Sequence, residues 1–252
     1  MITDPLFYLL GVVAVILLGL SKGGFFGLGI MALPLMSLYV PPLQASAIIL
    51  PVVLAQDVLT IWSYRKTWSA WNLKVMIPGM TVGIVVGTLF AASLSAAHVR
   101  LAVGLIAGAF VLRYWLAQRF ALMAFTPNAT TGAVIGAVGG FTTLLANAGG
   151  PAWQIHLLPQ GLDKFTYAGT LTMLFAVSNV IKIPAYASLG QLTVDNMLIG
   201  AVLLPVAIAA NYVGIWLVWR ISTEVFFRIA YVLMFVIALE LMRSSLTEMW
   251  WR

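Results

Sequence analysis

The 252-residue sequence contains no cysteine and few charged residues. The absence of cysteine excludes disulfide bonds, thiol catalysis and cysteine-ligated metal sites. Charged residues make up 8% of the chain, whereas a soluble domain carries about 25%. Hydrophobic residues make up 62%. This composition is typical of an integral membrane protein, and we interpret residues 1–252 as a single membrane domain.

The motifs of several protein classes are also missing. The two histidines, His98 and His156, are far apart and form no metal-ligand pattern. No Walker loop, HExxH helix or nucleophile elbow is present. The net charge of +6 is explained by basic residues that flank membrane spans. We therefore expect no enzyme, no cofactor, no metal and no nucleic-acid partner.

Several apolar segments are long enough, or nearly so, to cross a bilayer as helices of about 20 residues. The long segments are residues 43–64, 75–94, 99–116, 167–187, 197–218 and 225–242. Shorter pieces, separated by glycine-rich breaks, are residues 6–20, 25–39, 132–146 and 151–158. Short apolar segments split by glycine are typical of broken helices or helical hairpins. The sequence thus predicts an all-α polytopic membrane protein.

The two halves of the chain, approximately residues 5–117 and 127–245, follow one plan of a broken segment and three long helices. Residues 43–57 align without gaps with residues 165–179. If each broken segment returns to its starting side, each half crosses an odd number of times and the repeats are inverted. If each broken segment crosses once, the chain has eight spans and parallel repeats. We favour inversion.

Basic residues in the short loops predict the orientation. In the inverted arrangement one face carries most of them, and the positive-inside rule makes that face cytoplasmic. Its members are Arg65, Lys66, Lys74, Arg113, Arg119, Lys164 and Arg220. The opposite face carries Arg100, Arg243 and Arg252. Both termini are then predicted to lie outside.

The first glycine-rich break contains the most prominent ionisable residue of the membrane segments, Lys22. A lysine at membrane depth is costly and is a functional candidate by default. The amides of Gly23 and Gly24 follow it and are expected at a helix N-terminus, where the dipole favours an anion. Lys22, Gly23 and Gly24 are therefore predicted to bind a small oxyanion.

The second break and a later helix supply the other predicted binding residues. Asn147 and the amides of Gly149 and Gly150 are expected to complete the anion site from the opposite side. Ser178, Asn179 and Lys182 share one helical face, because they are three or four residues apart. An alternative for Lys182 is that its long side chain reaches the membrane interface.

Asp57 is the most interior acidic residue of the apolar segments, and it aligns with Asn179. A buried carboxylate that titrates suits proton coupling, whereas one paired with Lys22 or Lys182 has a structural role. Both roles remain open, and proton coupling is our working hypothesis. His156 is a weaker candidate for a proton relay.

The two breaks resemble those of the TauE/SafE family of sulfite exporters, and the resemblance covers nearly the whole chain. It rests on the run from Gly140 to Pro151, which includes Asn147, and on the run from Gly19 to Gly29 with Pro34. Lys22 and the two phenylalanines that follow the first glycines depart from the family's common glycine-rich form.

The resemblance implies a secondary transporter of small sulfur-containing anions such as sulfite or a sulfonate, operating as an exporter in the bacterial inner (cell) membrane by alternating access. Its expected partners are the anion, the lipid bilayer and a coupling proton. The alternatives are an uncoupled anion channel and an importer of a related anion. The oligomeric state is left open.

Overall fold

The computed structural model describes residues 4–23, 28–117, 127–218 and 223–250. Within these residues the chain is helical and has no strand. The first half contains α1 (Pro5–Gly23), α2 (Ala32–Met36), α3 (Pro42–Tyr64), α4 (Ala70–Ser93) and α5 (Ala96–Ala117). The second half contains α6 (Ala129–Ala146), α7 (Gly149–Leu157), α8 (Lys164–Ser188), α9 (Val194–Val218) and α10 (Thr223–Trp250).

Seven helices of the described part are long and apolar enough to cross a membrane: α1, α3, α4, α5, α6, α8 and α9. The all-α membrane fold predicted from the sequence is therefore confirmed. Five of the six predicted long segments lie in these helices, and the sixth, residues 225–242, lies in α10, a helix of 28 residues. The protein is an integral membrane protein.

The segments predicted to be short are longer than the sequence indicated. We expected 15 residues in each of the segments 6–20 and 132–146, but α1 has 19 residues and α6 has 18. Helix α6 gains its first turn from a capping box, in which Asn128 and Thr131 satisfy each other's backbone N–H groups. Both breaks are present: a 3-10 turn at Leu28–Met31 and α2 follow α1, and α7 follows α6.

Helices α4 and α6 approach each other along two lines of glycine. A Cβ atom added at Gly79 would collide with the carbonyl oxygen of Ala133, and one at Gly83 would collide with that of Ala137. Small residues at intervals of four allow such backbone contact between membrane helices. Because both residue numbers increase along the contact, α4 and α6 run in the same direction. The two lines are Gly79, Gly83 and Gly87 on α4, and Gly132, Gly136 and Gly140 on α6.

Helices α1 and α9 form the corresponding contact between the halves. Gly11 faces Leu203, and Gly19 faces Ala210. Residue numbers again increase together, so α1 and α9 also run in the same direction. The first helix of each half thus packs against the second long helix that follows the break in the other half.

Further contacts establish the remaining directions. Gln44 bonds to Asn196 and Gln56 bonds to the carbonyl of Ala207, so α3 runs parallel to α9. Helices α5 and α10 are antiparallel, because Arg100 pairs with Glu248 near one end and Tyr114 stacks on Tyr231 near the other.

Each long helix of the first half runs opposite to its counterpart in the second half. Short connections at residues 65–69, 94–95 and 189–193 make the helices on either side of each antiparallel. Helices α1, α3, α5 and α9 therefore run one way, and α4, α6, α8 and α10 run the other way. Since α1 and α3 run in the same direction, the chain between them returns to the end of the bundle where α1 begins. Inverted repeats require these directions.

Candidate functional site

A cavity of about 80 Å³ lies where the two broken segments meet α3 and α8. This volume exceeds the roughly 10–15 Å³ that a single water needs, so a small polyatomic anion fits. The residues that line the cavity are Leu18, Ser21, Lys22, Gly29, Ile30, Val53, Thr60, Tyr64, Thr143, Asn147, Gly150, Pro151, Gln154, Thr172, Phe175, Asn179 and Lys182. Both halves contribute, and the two charged side chains in the lining are lysines.

Lys22 forms an ion pair next to the cavity. Its Nζ lies 2.5 Å from Oδ1 of Asp57, whose side chain is 4% exposed. The second carboxylate oxygen accepts a hydrogen bond of 2.6 Å from the amide of Asn179. The ammonium also lies 5.1 Å from the ring centroid of Phe175, a cation–π contact. The sequence left Asp57 pairing with either lysine open, and the structure pairs it with Lys22.

Lys182 is the other cation of the cavity, and its environment is different. The residue is 1% exposed, and its Nζ donates a 2.7 Å hydrogen bond to Oδ1 of Asn147. Among the residues that the structure describes, no carboxylate forms an ion pair with it. A buried charge needs a partner to offset its lost hydration. An anion bound in the cavity would supply such a partner. The alternative in which Lys182 reaches the interface is wrong.

The second glycine-rich break has the predicted helix N-terminus. Asn147 ends α6 in the left-handed conformation, with φ of 50°, which asparagine tolerates better than most residues. Helix α7 then begins with Gly149 and Gly150. The N–H groups of a first helical turn have no partner within the helix, and they lie at its positive end. Gly150 lines the cavity, so this end of α7 is directed at the site.

The first break does not have the predicted N-terminus. Gly23 is the last residue of α1, so its N–H lies at the negative end of a helix dipole and faces back along its own helix. The expectation that Gly23 opens a helix is wrong. Lys22 in the last turn of α1 is favourably placed towards that dipole. Gly24 lies outside the described residues.

Of the predicted residues that the structure describes, Asp57, Gly149, Ser178 and His156 are not among the residues that line the cavity. Ser178 is fully buried, and its hydroxyl donates to the carbonyl of Phe175 at 2.7 Å. His156 is also buried and its ring stacks on Trp71 at a centroid distance of 5.9 Å. In the described part of the chain, the cavity lining includes neither residue.

Sequence reasoning missed several polar or aromatic residues of the lining, namely Ser21, Thr60, Tyr64, Gln154, Thr172 and Phe175. They lie in or beside apolar helical stretches, where the sequence does not show which side chains face a cavity. Gln154 had one recognisable signal, because it follows Gly150 by one helical turn and so shares its face.

The two main bonds of the site have the same spacing in the two halves. Lys22 and Asp57 are 35 residues apart, and so are Asn147 and Lys182. In each case a residue at the end of the broken segment's first helix bonds to a residue on the following long helix. The two bonds share this spacing only, because the ungapped sequence alignment pairs Asp57 with Asn179 and not with Lys182.

Comparison with known proteins identifies the family of this chain. No curated protein and no solved structure matches the chain. A family model described as "Sulfite exporter TauE/SafE" matches residues 10–241. The match covers both breaks and most of both halves, so this chain belongs to the TauE/SafE sulfite exporter family.

Proposed function

We propose that the protein is a secondary transporter that exports small sulfur-containing anions, such as sulfite or a sulfonate, through the cavity described above. The observation that carries this proposal is Lys182, a buried cation with an amide oxygen as its partner and a cavity beside it. Family membership adds the sulfur chemistry, which the geometry alone does not specify. We place the protein in the bacterial inner membrane.

The anion's charged group binds between Lys182 and the first turn of α7 in this proposal. Lys182 provides a full positive charge, and the amides of Gly149 and Gly150 provide the positive end of a helix dipole. Asn147 orients Lys182 by accepting its hydrogen bond, and Asn179 orients Asp57, the ion-pair partner of Lys22, by donating one. Lys22, which also lines the cavity, adds a second positive charge.

The apolar part of the lining suits an organic group on the anion. Leu18, Ile30, Val53 and Phe175 face the same cavity as the two lysines. A sulfonate with a short carbon chain therefore finds both charge compensation and apolar contact, whereas sulfite uses the charged part alone.

Transport follows from two inverted repeats, approximately residues 5–117 and 127–245, that rock around the cavity. The opposite directions of corresponding helices support this arrangement, and the cavity between the halves is where inverted-repeat transporters bind their substrates. Asp57 is the proposed proton-coupling group, since its carboxylate lies in hydrogen-bond contact with a cavity lysine.

Flux in proteoliposomes tests the proposal. Sulfite, thiosulfate, sulfoacetate and sulfate are compared, with and without a pH gradient. Saturable flux of a sulfur anion that responds to the pH gradient supports a coupled transporter. Flux that is uncoupled and does not saturate would indicate the channel alternative, and no flux of any of the four anions would reject the proposal.

A further inference from the structure

Asn72 and Gln160 form a partly buried amide pair that joins the two halves. Asn72 is 0% exposed, and its amide donates to Oε1 of Gln160 at 2.9 Å while the amide of Gln160 donates back to Oδ1 of Asn72 at 2.9 Å. Asn72 lies in the first turn of α4, and Gln160 lies just before α8. Two reciprocal bonds thus connect the start of one half's helix to the other half.

Gln44 and Asn196 form a second pair of the same kind. The amide of Gln44 donates to Oδ1 of Asn196 at 3.2 Å. Asn196 is 4% exposed and lies in the first turn of α9, and Gln44 lies at the start of α3. The amide of Asn196 also donates to the carbonyl of Gln191 at 2.8 Å.

The two pairs occupy equivalent places. Asn72 and Asn196 are 124 residues apart, and each follows by three residues a hydroxyl that accepts its backbone N–H, from Ser69 and Thr193 respectively. Each asparagine bonds to a glutamine near the start of the other half's first long helix. Because α4 and α9 run in opposite directions, their first turns lie at opposite ends of the bundle.

The structure assigns these pairs as the two gates of the transport cycle, Asn72 with Gln160 at one membrane face and Gln44 with Asn196 at the other. This inference rests on the proposed alternating access. A buried amide left without a partner costs free energy, so a partly separated pair is unfavourable. Each gate is stable when its amides bond to each other or when water enters and replaces those bonds. Such two-state contacts are what alternating access requires.

The gates differ in strength. The Asn72–Gln160 gate has two direct bonds of 2.9 Å, and the Gln44–Asn196 gate has one of 3.2 Å. Removal of one ordinary hydrogen bond shifts an equilibrium by roughly fivefold. Loss of either glutamine side chain should therefore move the population towards the conformation that is open at that face.

The reaction rate of a thiol in the cavity reports how often the cavity is open to each membrane face. The chain has no cysteine, so Thr60→Cys, which lies in the cavity lining, supplies one reporter. A membrane-impermeant thiol reagent is applied to right-side-out and to inside-out vesicles. Gln160→Ala removes both bonds of its gate, so we expect the reporter to react more than about fivefold faster from the Asn72 face and more slowly from the opposite face. Gln44→Ala should produce the reverse pattern.

Gln191→Ala is the matched control, because the side-chain amide of Gln191 bonds within its own half, to the carbonyl of Leu189. It should change neither rate. Asn72→Ser and Asn196→Ser remove the asparagine side of the same two pairs. Each should change the two reaction rates in the same direction as the corresponding glutamine variant. These variants keep the inference testable if a glutamine variant does not fold.

A rise in reaction rate from one face together with a fall from the other distinguishes gating from a general loosening of the helix bundle. A loosened helix bundle would raise the reaction rate from one face or from both without lowering it from the other, and that result would overturn the inference. Reciprocal shifts in a protein that transports none of the tested anions would retain the gates and reject the proposed substrate instead.

Discussion

The side-chain amide of Asn179 donates to the carboxylate of Asp57 at 2.6 Å, and these two residues occupy aligned positions in the two halves of the chain. The bond therefore joins α3 of the first half to α8 of the second half. Lys22 lies on one side of it through its ion pair with Asp57, and Lys182 is three residues from Asn179 on α8. The charged centre of the cavity is thus built around a contact between the repeats.

Asn147→Asp should greatly reduce transport while preserving the fold. Aspartate tolerates the left-handed conformation at this position, and its carboxylate would pair with Lys182 in place of the amide oxygen. The new carboxylate would neutralise the Lys182 ammonium, which would then no longer attract the transported anion. Melting temperature should stay the same or rise, whereas flux should fall by about tenfold or more, since a charge-assisted bond contributes about 1.5–3 kcal/mol.

Asn147→Ser is the control for that variant, because it removes the amide without adding charge. It should retain more flux than Asn147→Asp. Equal flux in wild-type and Asn147→Asp proteoliposomes would show that Lys182 does not contact the anion.

Lys22→Met and Lys182→Met should each greatly reduce anion flux in protein that still inserts into the membrane. Removal of Lys182 relieves the cost of a buried cation without a carboxylate partner, so its loss should not lower the melting temperature. Arginine should not restore flux at either position, since a planar guanidinium differs in shape from an ammonium. Lys74→Met changes an exposed lysine of α4 and should leave flux unchanged. Normal flux in both cavity variants would show that neither lysine is needed for anion binding.

Asp57→Asn tests proton coupling. If the Asp57 carboxylate carries the coupled proton, the variant should bind substrate and lose the response of flux to a pH gradient. If the carboxylate is structural, Lys22 loses its partner, the melting temperature falls, and the remaining flux still responds to pH. We expect the first result. A stable variant with unchanged pH-driven flux would reject both roles and make a channel or His156 the better hypothesis.

Cysteine labelling tests the inverted arrangement. Lys66→Cys and Asp163→Cys should both react from the cytoplasmic side, and Asp4→Cys should react from outside. All three native side chains are exposed. The contact between Gly169 and the carbonyl of Thr67 places the first two at the same end of the bundle. Labelling of positions 66 and 163 from opposite sides would instead indicate parallel repeats.

Gly83→Ala should lower the stability of the protein. The added methyl group would collide with the carbonyl oxygen of Ala137, and backbone cannot move aside as a flexible side chain does. Overpacking of this kind costs about 1–3 kcal/mol or more. Gly108→Ala is the control, because the nearest atom to its added methyl group is 3.9 Å away. Similar melting temperatures for the two variants would contradict the close packing of α4 and α6.

The sequence was sufficient for the helical membrane class, the two glycine-rich breaks and most of the charged residues of the site. These features depend on local properties: the length of apolar runs, the conformational freedom of glycine and the cost of a charge in hydrocarbon. Lys22, Asp57, Asn147, Asn179 and Lys182 were all singled out because polar residues are rare in such segments.

Local properties did not reveal which of these groups are partners. The sequence permitted Asp57 to pair with either lysine, and only the packing of α3 against α1 and α8 assigns it to Lys22 and Asn179. The orientation of the first break was mispredicted for the same reason, since glycine is compatible with the end of a helix as well as with its start. The amide pairs Asn72–Gln160 and Gln44–Asn196 join residues 88 and 152 positions apart. The sequence by itself thus determined where polar groups enter the membrane, whereas the tertiary structure decided which of them meet, because each meeting requires two distant helices to pack at one particular register.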